Sequence, residues 1–178
     1  VFSAIDPKSI YYIPIMFSEQ GIDKFMMKSF KIKDKKLNLK PWKDYKKKVE
    51  KCKNKIKIAM IGKYVDLVDS YKSLNEALYH AGVINNRIVD IVYLDSEKLN
   101  KRNIKQLSKM DGILVPGGFG DRGIEGKILA AEFARVNDIP YFGICLGMQI
   151  SVIEFARNVM KLNKANSTEF NKNTKYPV

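Results

Sequence analysis

From residue 55 onward two hydrophobic rhythms alternate: short apolar runs of strand length and longer stretches with apolar residues on one helical face. Ile56 to Ile61 predicts a strand ending at Gly62. Ser70 to Gly82 predicts a helix with Asp69 or Ser70 near its N-cap and Gly82 as its stop. Ile88 to Leu94 predicts the second strand, Ile104 to Lys109 a short helix, and Gly112 to Val115 a third strand broken by Pro116-Gly117-Gly118. Ile124 to Val136 is helical in pattern, Tyr141 to Ile144 strand-like, and Met148 to Lys161 helical again. Strand and helix in strict alternation, with strands almost free of charge, predict an α/β fold with a doubly wound, largely parallel sheet flanked by helices. No internal repeat is evident.

The first 54 residues have a different character. Tyr11 to Pro14 reads as a strand, and Phe17 to Met27 has rough helical spacing, but this segment is too small to bury a core alone. It reads as the end of an upstream domain, residues 1–32, followed by a basic interdomain linker, residues 33–54. The third region, residues 55–178, carries the regular pattern. Val1 to Pro7 has neither an initiator Met nor the basic-then-apolar order of a secretory signal, so the chain reads as a piece of a longer polypeptide.

Composition narrows the possible functions. With 178 residues the chain has room for one well-buried domain and an appendage. No apolar run reaches the roughly 18 residues of a membrane span, so no membrane partner is expected. The formal net charge of +13 raises the possibility of a nucleic-acid partner. Much of that charge falls between Lys31 and Lys57 with few aromatics among it, the pattern of a solvated linker, and no nucleic acid is expected to bind. Cys52 and Cys145 have no metal-site or disulfide spacing, so no metal is expected and a reducing, cytoplasmic setting fits.

Ligands of such sheets gather at the carboxyl ends of the strands. Three glycine-bearing segments fall there: Gly62-Lys63-Tyr64, Pro116 to Gly120, and Gly143 to Gly147. The last reads Gly143-Ile144-Cys145-Leu146-Gly147, the Gly-x-Cys-x-Gly spacing of a nucleophile elbow, in which flanking glycines let a sharp turn lift a side chain above the sheet. Cys145 would then stand at a helix N-terminus, with the Leu146 N–H directed at an oxyanion beside it. A buried structural cysteine is the alternative that the pentapeptide leaves open. Gly117-Gly118 after the third strand frees the backbone to turn a second N–H, that of Gly118, to the same place. Neither a dinucleotide fingerprint nor a phosphate loop is present.

Five segments in order carry a family resemblance: Gly62 to Leu67, Ser70 to Ser73, Pro116 to Gly126, Gly143 to Gln149, and Ala165 to Phe170. Together they closely resemble the CTP synthases. Residues 1–32 are similar to the C-terminal end of that family's amidoligase domain. Residues 55–178 are similar to most of its class I glutamine amidotransferase domain, incomplete at its C-terminus.

The resemblance implies that Cys145 attacks the side-chain amide of L-glutamine, that Gly118 and Leu146 hold the oxyanion, and that ammonia passes to a second site where UTP becomes CTP. Gly118, Phe119, Leu146, Gly147, Met148, Gln149 and Glu169 match positions contacting glutamine, the carboxylate at 169 suiting its α-amino group. Lys72, Glu76 and Arg122 match positions associated with the allosteric effector GTP. It implies no cofactor for this domain, ATP and Mg for the full-length enzyme, and a homotetramer. The histidine base and the glutamate orienting it lie, in the family, beyond Val178, so these residues alone are expected to be inactive or nearly so. His80, the only histidine, reads as structural or solvent-facing. Two other readings remain: an amidotransferase of another pathway, and a catalytically silent regulatory or assembly module.

Overall fold

The computed structural model describes residues 1–33, 37–63 and 68–178, in two compact units. The first comprises residues 1–54 with 80–88, the second 55–79 with 89–178.

In the first unit Tyr11 to Pro14 is not a strand. Ser9 Oγ accepts the Tyr11 N–H at 3.3 Å and starts a 3-10 turn over Ile10–Tyr12, which runs into helix α1, Ile13–Glu19. Pro14 lies in the first turn of α1, where its missing N–H removes no helical bond. Gly21, at φ +79°, then turns the chain into α2, Ile22–Ser29. The stretch read as a solvated linker contains a twelve-residue helix, α3, Lys40–Lys51. Pro41 sits at its start, and Asn38 Oδ1 accepts the Lys40 N–H at 3.1 Å. Its lysines hid an aromatic edge. Trp42 and Tyr45, three apart on one face, pack their rings 6.3 and 5.2 Å from Tyr11. His80 joins them at 4.4 Å from Tyr11 and 5.7 Å from Tyr45, a structural position among rings.

The second unit is built on a four-stranded parallel sheet flanked by helices, ordered β2-β1-β3-β4. Its strands are β1, Asn54–Gly62; β2, Arg87–Asp95; β3, Gly112–Val115; and β4, Tyr141–Gly143. Ala59 pairs with Ile113 and Met60 with Leu114, while Leu114 pairs with Phe142 and Val115 with Gly143. All of β3 is buried, which explains its unbroken apolar sequence. Helices α4, Lys72–Ile84; α5, Ile124–Val136; and α6, Leu146–Asn158 follow β1, β3 and β4.

Helix α5 has two apolar faces. Ala130 and Ala134 pack with Ala59, Ile61, Ile113 and Val115 of the sheet. Ile124, Ile128 and Ala131 pack with Leu146, Ile150 and Ile153 of α6. The two helices are tied by Glu154, only 3% exposed, which takes a bidentate pair from Arg135 at 2.7 to 3.1 Å and a third bond from Asn158 at 3.1 Å. Burial is tolerable for this carboxylate because its oxygens are bonded. The predicted spans of β3 and α5 match the observed ones. Helix α6 begins at Leu146 rather than Met148 and ends at Asn158 rather than Lys161, so that Cys145 becomes its N-cap residue. Among the described residues no helix is long and apolar enough to cross a membrane.

Candidate active site

The elbow is set by two backbone contacts that only glycine permits. A Cβ on Gly143 would lie 2.6 Å from the Met148 nitrogen and closer still to the Gly147 carbonyl. A Cβ on Gly147 would lie 3.0 Å from the Val115 carbonyl carbon and closer to its oxygen. The chain between them therefore folds tightly back onto the end of β3, where the Val115 carbonyl accepts the Ile144 N–H at 3.0 Å. Cys145, between the glycines, has φ +51° and ψ −105°, a conformation that non-glycine residues rarely adopt. Its side chain is exposed. A cysteine serving only to fill a core would be buried and unstrained; this one is neither.

The glycine loop after β3 meets the elbow. A Cβ on Gly117 would stand 3.5 Å from the Cys145 Cβ, and one on Gly118 would be 3.5 Å from Leu146 Cδ2. Among the described residues neither the Gly118 nor the Leu146 N–H donates to a protein acceptor. Two donors without a protein acceptor thus lie on the elbow and on the loop packed against it. The loop is held from its other side by Lys63, whose Nζ donates to the Phe119 and Gly120 carbonyls.

The remaining expected site residues for glutamine fall into four groups. Phe119 is 87% exposed and Met148 56%, so both offer apolar surface at the rim. Gln149, in the first turn of α6, has a buried Oε1 without a partner, a polar atom left for a ligand. Gly147 is otherwise engaged: its N–H donates to Ile144 O at 2.9 Å and its carbonyl accepts from Tyr141 Oη at 2.8 Å, which gives it a packing role. Burial, then the nearby Glu154 charge, pushes the Tyr141 phenol well above its ordinary range, so it stays a donor. Glu169 is exposed, on a segment anchored by buried Ala165, whose carbonyl accepts the Arg157 Nε–H at 2.6 Å, and by Phe170 against the apolar cluster that α5 and α6 share.

Of the effector candidates, Lys72 and Glu76 pair with each other at 3.8 Å on α4. Arg122 forks onto Glu97 at 2.6 and 2.9 Å, and this bonding holds the Glu97 carboxyl below its ordinary value. Glu97 was not among the expected residues. Of the Gly62 to Leu67 motif, residues 64–67 lie outside the described residues.

Lys127 was also missed. It is 2% exposed, one turn into α5, and lines a cleft of about 160 Å³ with Gly62, Lys63, Tyr71 and Pro116 to Phe119. Burial, and then the neighbouring Lys63 charge, lower its ammonium to about 8, with Glu97 opposing. Against the ordinary 10.5, the site disfavours the charged form by on the order of 3 kcal/mol relative to water, although the ammonium stays protonated at neutral pH. A larger groove, about 460 Å³ between α5, β4 and α6, is apolar, and its charged groups, Arg135 and Glu154, already satisfy one another. The candidate site residues gather at the strand ends instead.

Residues 66–176 match the family model for glutamine amidotransferase class-I. The chain belongs to the class I glutamine amidotransferases. Among solved structures, this amidotransferase chain is similar to the glutaminase domain of the Trypanosoma brucei CTP synthase with bound acivicin, at 47% identity and a TM-score of 0.65. The match covers 69% of this chain and 48% of that one. The chain thus spans about half the length of that relative. Within the family assignment, the elbow at Cys145 and the loop at Gly117-Gly118 are the parts of this amidotransferase fold that converge at the sheet's carboxyl edge.

Proposed function

We propose that this chain is the glutamine-hydrolysing part of a CTP synthase, and that Cys145 is its nucleophile. The observation that carries the reading is a strained, exposed thiol at the N-cap of α6, faced by the Gly117-Gly118 loop.

The thiolate of Cys145 attacks the δ-carbon of glutamine. A C–S bond forms and the carbonyl π pair moves onto oxygen, where the N–H groups of Gly118 and Leu146 receive the charge. Collapse of this intermediate breaks the C–N bond; the nitrogen leaves as ammonia after taking a proton, and a glutamyl thioester remains. Water then adds to the thioester, sulfur departs, and glutamate is released. Phe119 and Met148 close the apolar rim, Gln149 Oε1 accepts from the substrate, and Glu169 pairs with its α-ammonium. The proton carrier is the family's histidine, which no residue of this sequence matches, since His80 packs among Tyr11 and Tyr45.

Residues 1–32 are proposed as the end of the amidoligase domain and 33–54, with α3, as the connector to the amidotransferase domain at 55–178. Amination of UTP with ATP and Mg, and the homotetramer, belong to the intact protein. Among the described residues no group of His, Cys, Asp or Glu could hold a metal ion, and no step here runs through one. GTP is proposed to act through Lys72, Glu76 and Arg122. Arg122 lies between Gly120 and Gly123, both at positive φ, so the loop can release Glu97 and close.

The test is an acceptor panel with the intact protein, glutamine and ATP. Glutamine-dependent conversion of UTP to CTP, raised by GTP, is expected. Glutamate formation with UTP untouched and another acceptor aminated would overturn the pathway and keep the glutaminase. No glutamate at all would favour the silent module.

A further inference from the structure

Arg157, in the last turn of α6, ties three elements together. Its Nη1 donates to both oxygens of Glu125, in the first turn of α5, at 2.9 and 3.1 Å. Its Nε donates at 2.6 Å to the carbonyl of Ala165, at the head of the segment that carries Glu169. The Arg157 side chain is 19% exposed, while that of Glu125 is 77% exposed. An ion pair open to water on one side contributes little by itself, so Glu125 does not explain why a guanidinium is sunk at this point. The bond to Ala165 does.

Ala165 is fully buried, and among the described residues no other donor reaches its carbonyl. A buried carbonyl left without a donor is costly, so the guanidinium fixes where the chain enters this segment. From there each residue sets the next. Asn166 Oδ1 accepts the Ser167 N–H at 3.0 Å, and the buried Ser167 hydroxyl accepts the Glu169 N–H at 3.2 Å. Phe170 closes the segment against the cluster that contains Leu146, the residue after the thiol. Glu169 is exposed, and among the described residues its carboxylate has no partner, so its place is set through the backbone.

We propose that Arg157 is a positioning residue for glutamine recognition: through the Ala165 carbonyl it holds Glu169 where the substrate's α-ammonium arrives, and Glu125 keeps the guanidinium aligned. The inference rests on the reading of Glu169 as the partner of that ammonium. Arginine suits the task because its planar fork serves a carboxylate and a carbonyl at once, whereas a lysine ammonium is a single point charge. The contact at stake grips the substrate away from the reacting carbonyl, in ground state and transition state alike. Its loss should therefore appear in KM and spare kcat.

The experiment uses the intact protein and follows hydrolysis of L-glutamine beside that of glutaramate, which is glutamine without its α-amino group. Arg157→Met keeps the packing of the stem and removes the fork. It should raise the KM for glutamine at least about tenfold, hold kcat within about threefold and leave glutaramate kinetics nearly parental, so that discrimination between the two substrates collapses. Glu169→Gln should do the same, and the double variant should be no worse than Glu169→Gln alone, because both act through one contact. Arg157→Lys should recover part of the discrimination. Lys172→Met, which removes an exposed charge from the same stretch of chain, should leave it intact. Hydrogen exchange gives a second readout: the amides of residues 165–171 should exchange at least about tenfold faster in Arg157→Met, with those of Ile150 to Ile153 unchanged. Parental KM or unaltered exchange in Arg157→Met would overturn the proposal, as would a fall in kcat shared equally by both substrates. An active parent with an indifferent Arg157→Met removes this proposal alone. An intact protein that forms no glutamate, and takes no label at Cys145 from an electrophilic glutamine analogue, removes the glutaminase reading with it.

Discussion

Replacing Cys145 by serine in the intact protein is expected to lower glutamine-dependent ammonia release by at least about a thousandfold. Serine preserves the size of the side chain and the backbone turn, but its alkoxide is far less accessible than a thiolate at neutral pH. The residue is exposed and caps α6 without a side-chain hydrogen bond, so the melting temperature should be unchanged. Synthesis supplied with free ammonia should persist, because the elbow takes no part in it. Glutamate production followed alongside ammonia-fed synthesis distinguishes these outcomes. A serine variant that still hydrolyses glutamine at even a tenth of the parental rate would remove Cys145 from the chemistry.

Gly147→Ala is expected to be strongly destabilising, costing about 3 kcal/mol or more. The added methyl would stand 3.0 Å from the Val115 carbonyl carbon and nearer its oxygen, and neither can yield easily. Val115 is 0% exposed at the end of β3, and its carbonyl already accepts the Ile144 N–H. Gly120→Ala provides the comparison. There the cost is the positive φ of +76° alone, on the order of 1 kcal/mol, since the nearest atom is the end of a flexible lysine at 3.7 Å. Urea denaturation measures both. Equal losses at the two glycines would mean that the elbow is not braced against β3.

Strand β3 was legible because burial on both faces writes it as an unbroken apolar run, Gly112 to Val115. The elbow was legible only in part: the Gly-x-Cys-x-Gly spacing alone left a buried structural cysteine open, and the Gly117-Gly118 loop tipped the reading toward an exposed thiol. What escaped had local causes in some places and long-range ones in others. Tyr11 to Pro14 reads like a strand, but Ser9 caps a turn there and Pro14 fits a first helical turn. Helix α3 was masked by lysines, although Pro41 near its start and the spacing of Trp42 and Tyr45 carry its signal. Lys127 left a readable trace: with Ile124, Ile128 and Ala131 it lies on one i, i+3, i+4, i+7 stripe, a cation where an apolar residue belongs. Glu97 left none, since its meeting with Arg122 depends on how the turn after β2 approaches the loop before α5.

The most direct measurement is the site of modification when the intact protein is incubated with a glutamine analogue bearing an electrophile, read by peptide mass mapping. One label per chain on the peptide containing Cys145 is expected, blocked by excess glutamine and absent in Cys145→Ser. Labelling at Cys52 instead, or labelling that persists in the serine variant, would contradict the assignment of Cys145 as the glutamine-attacking thiol.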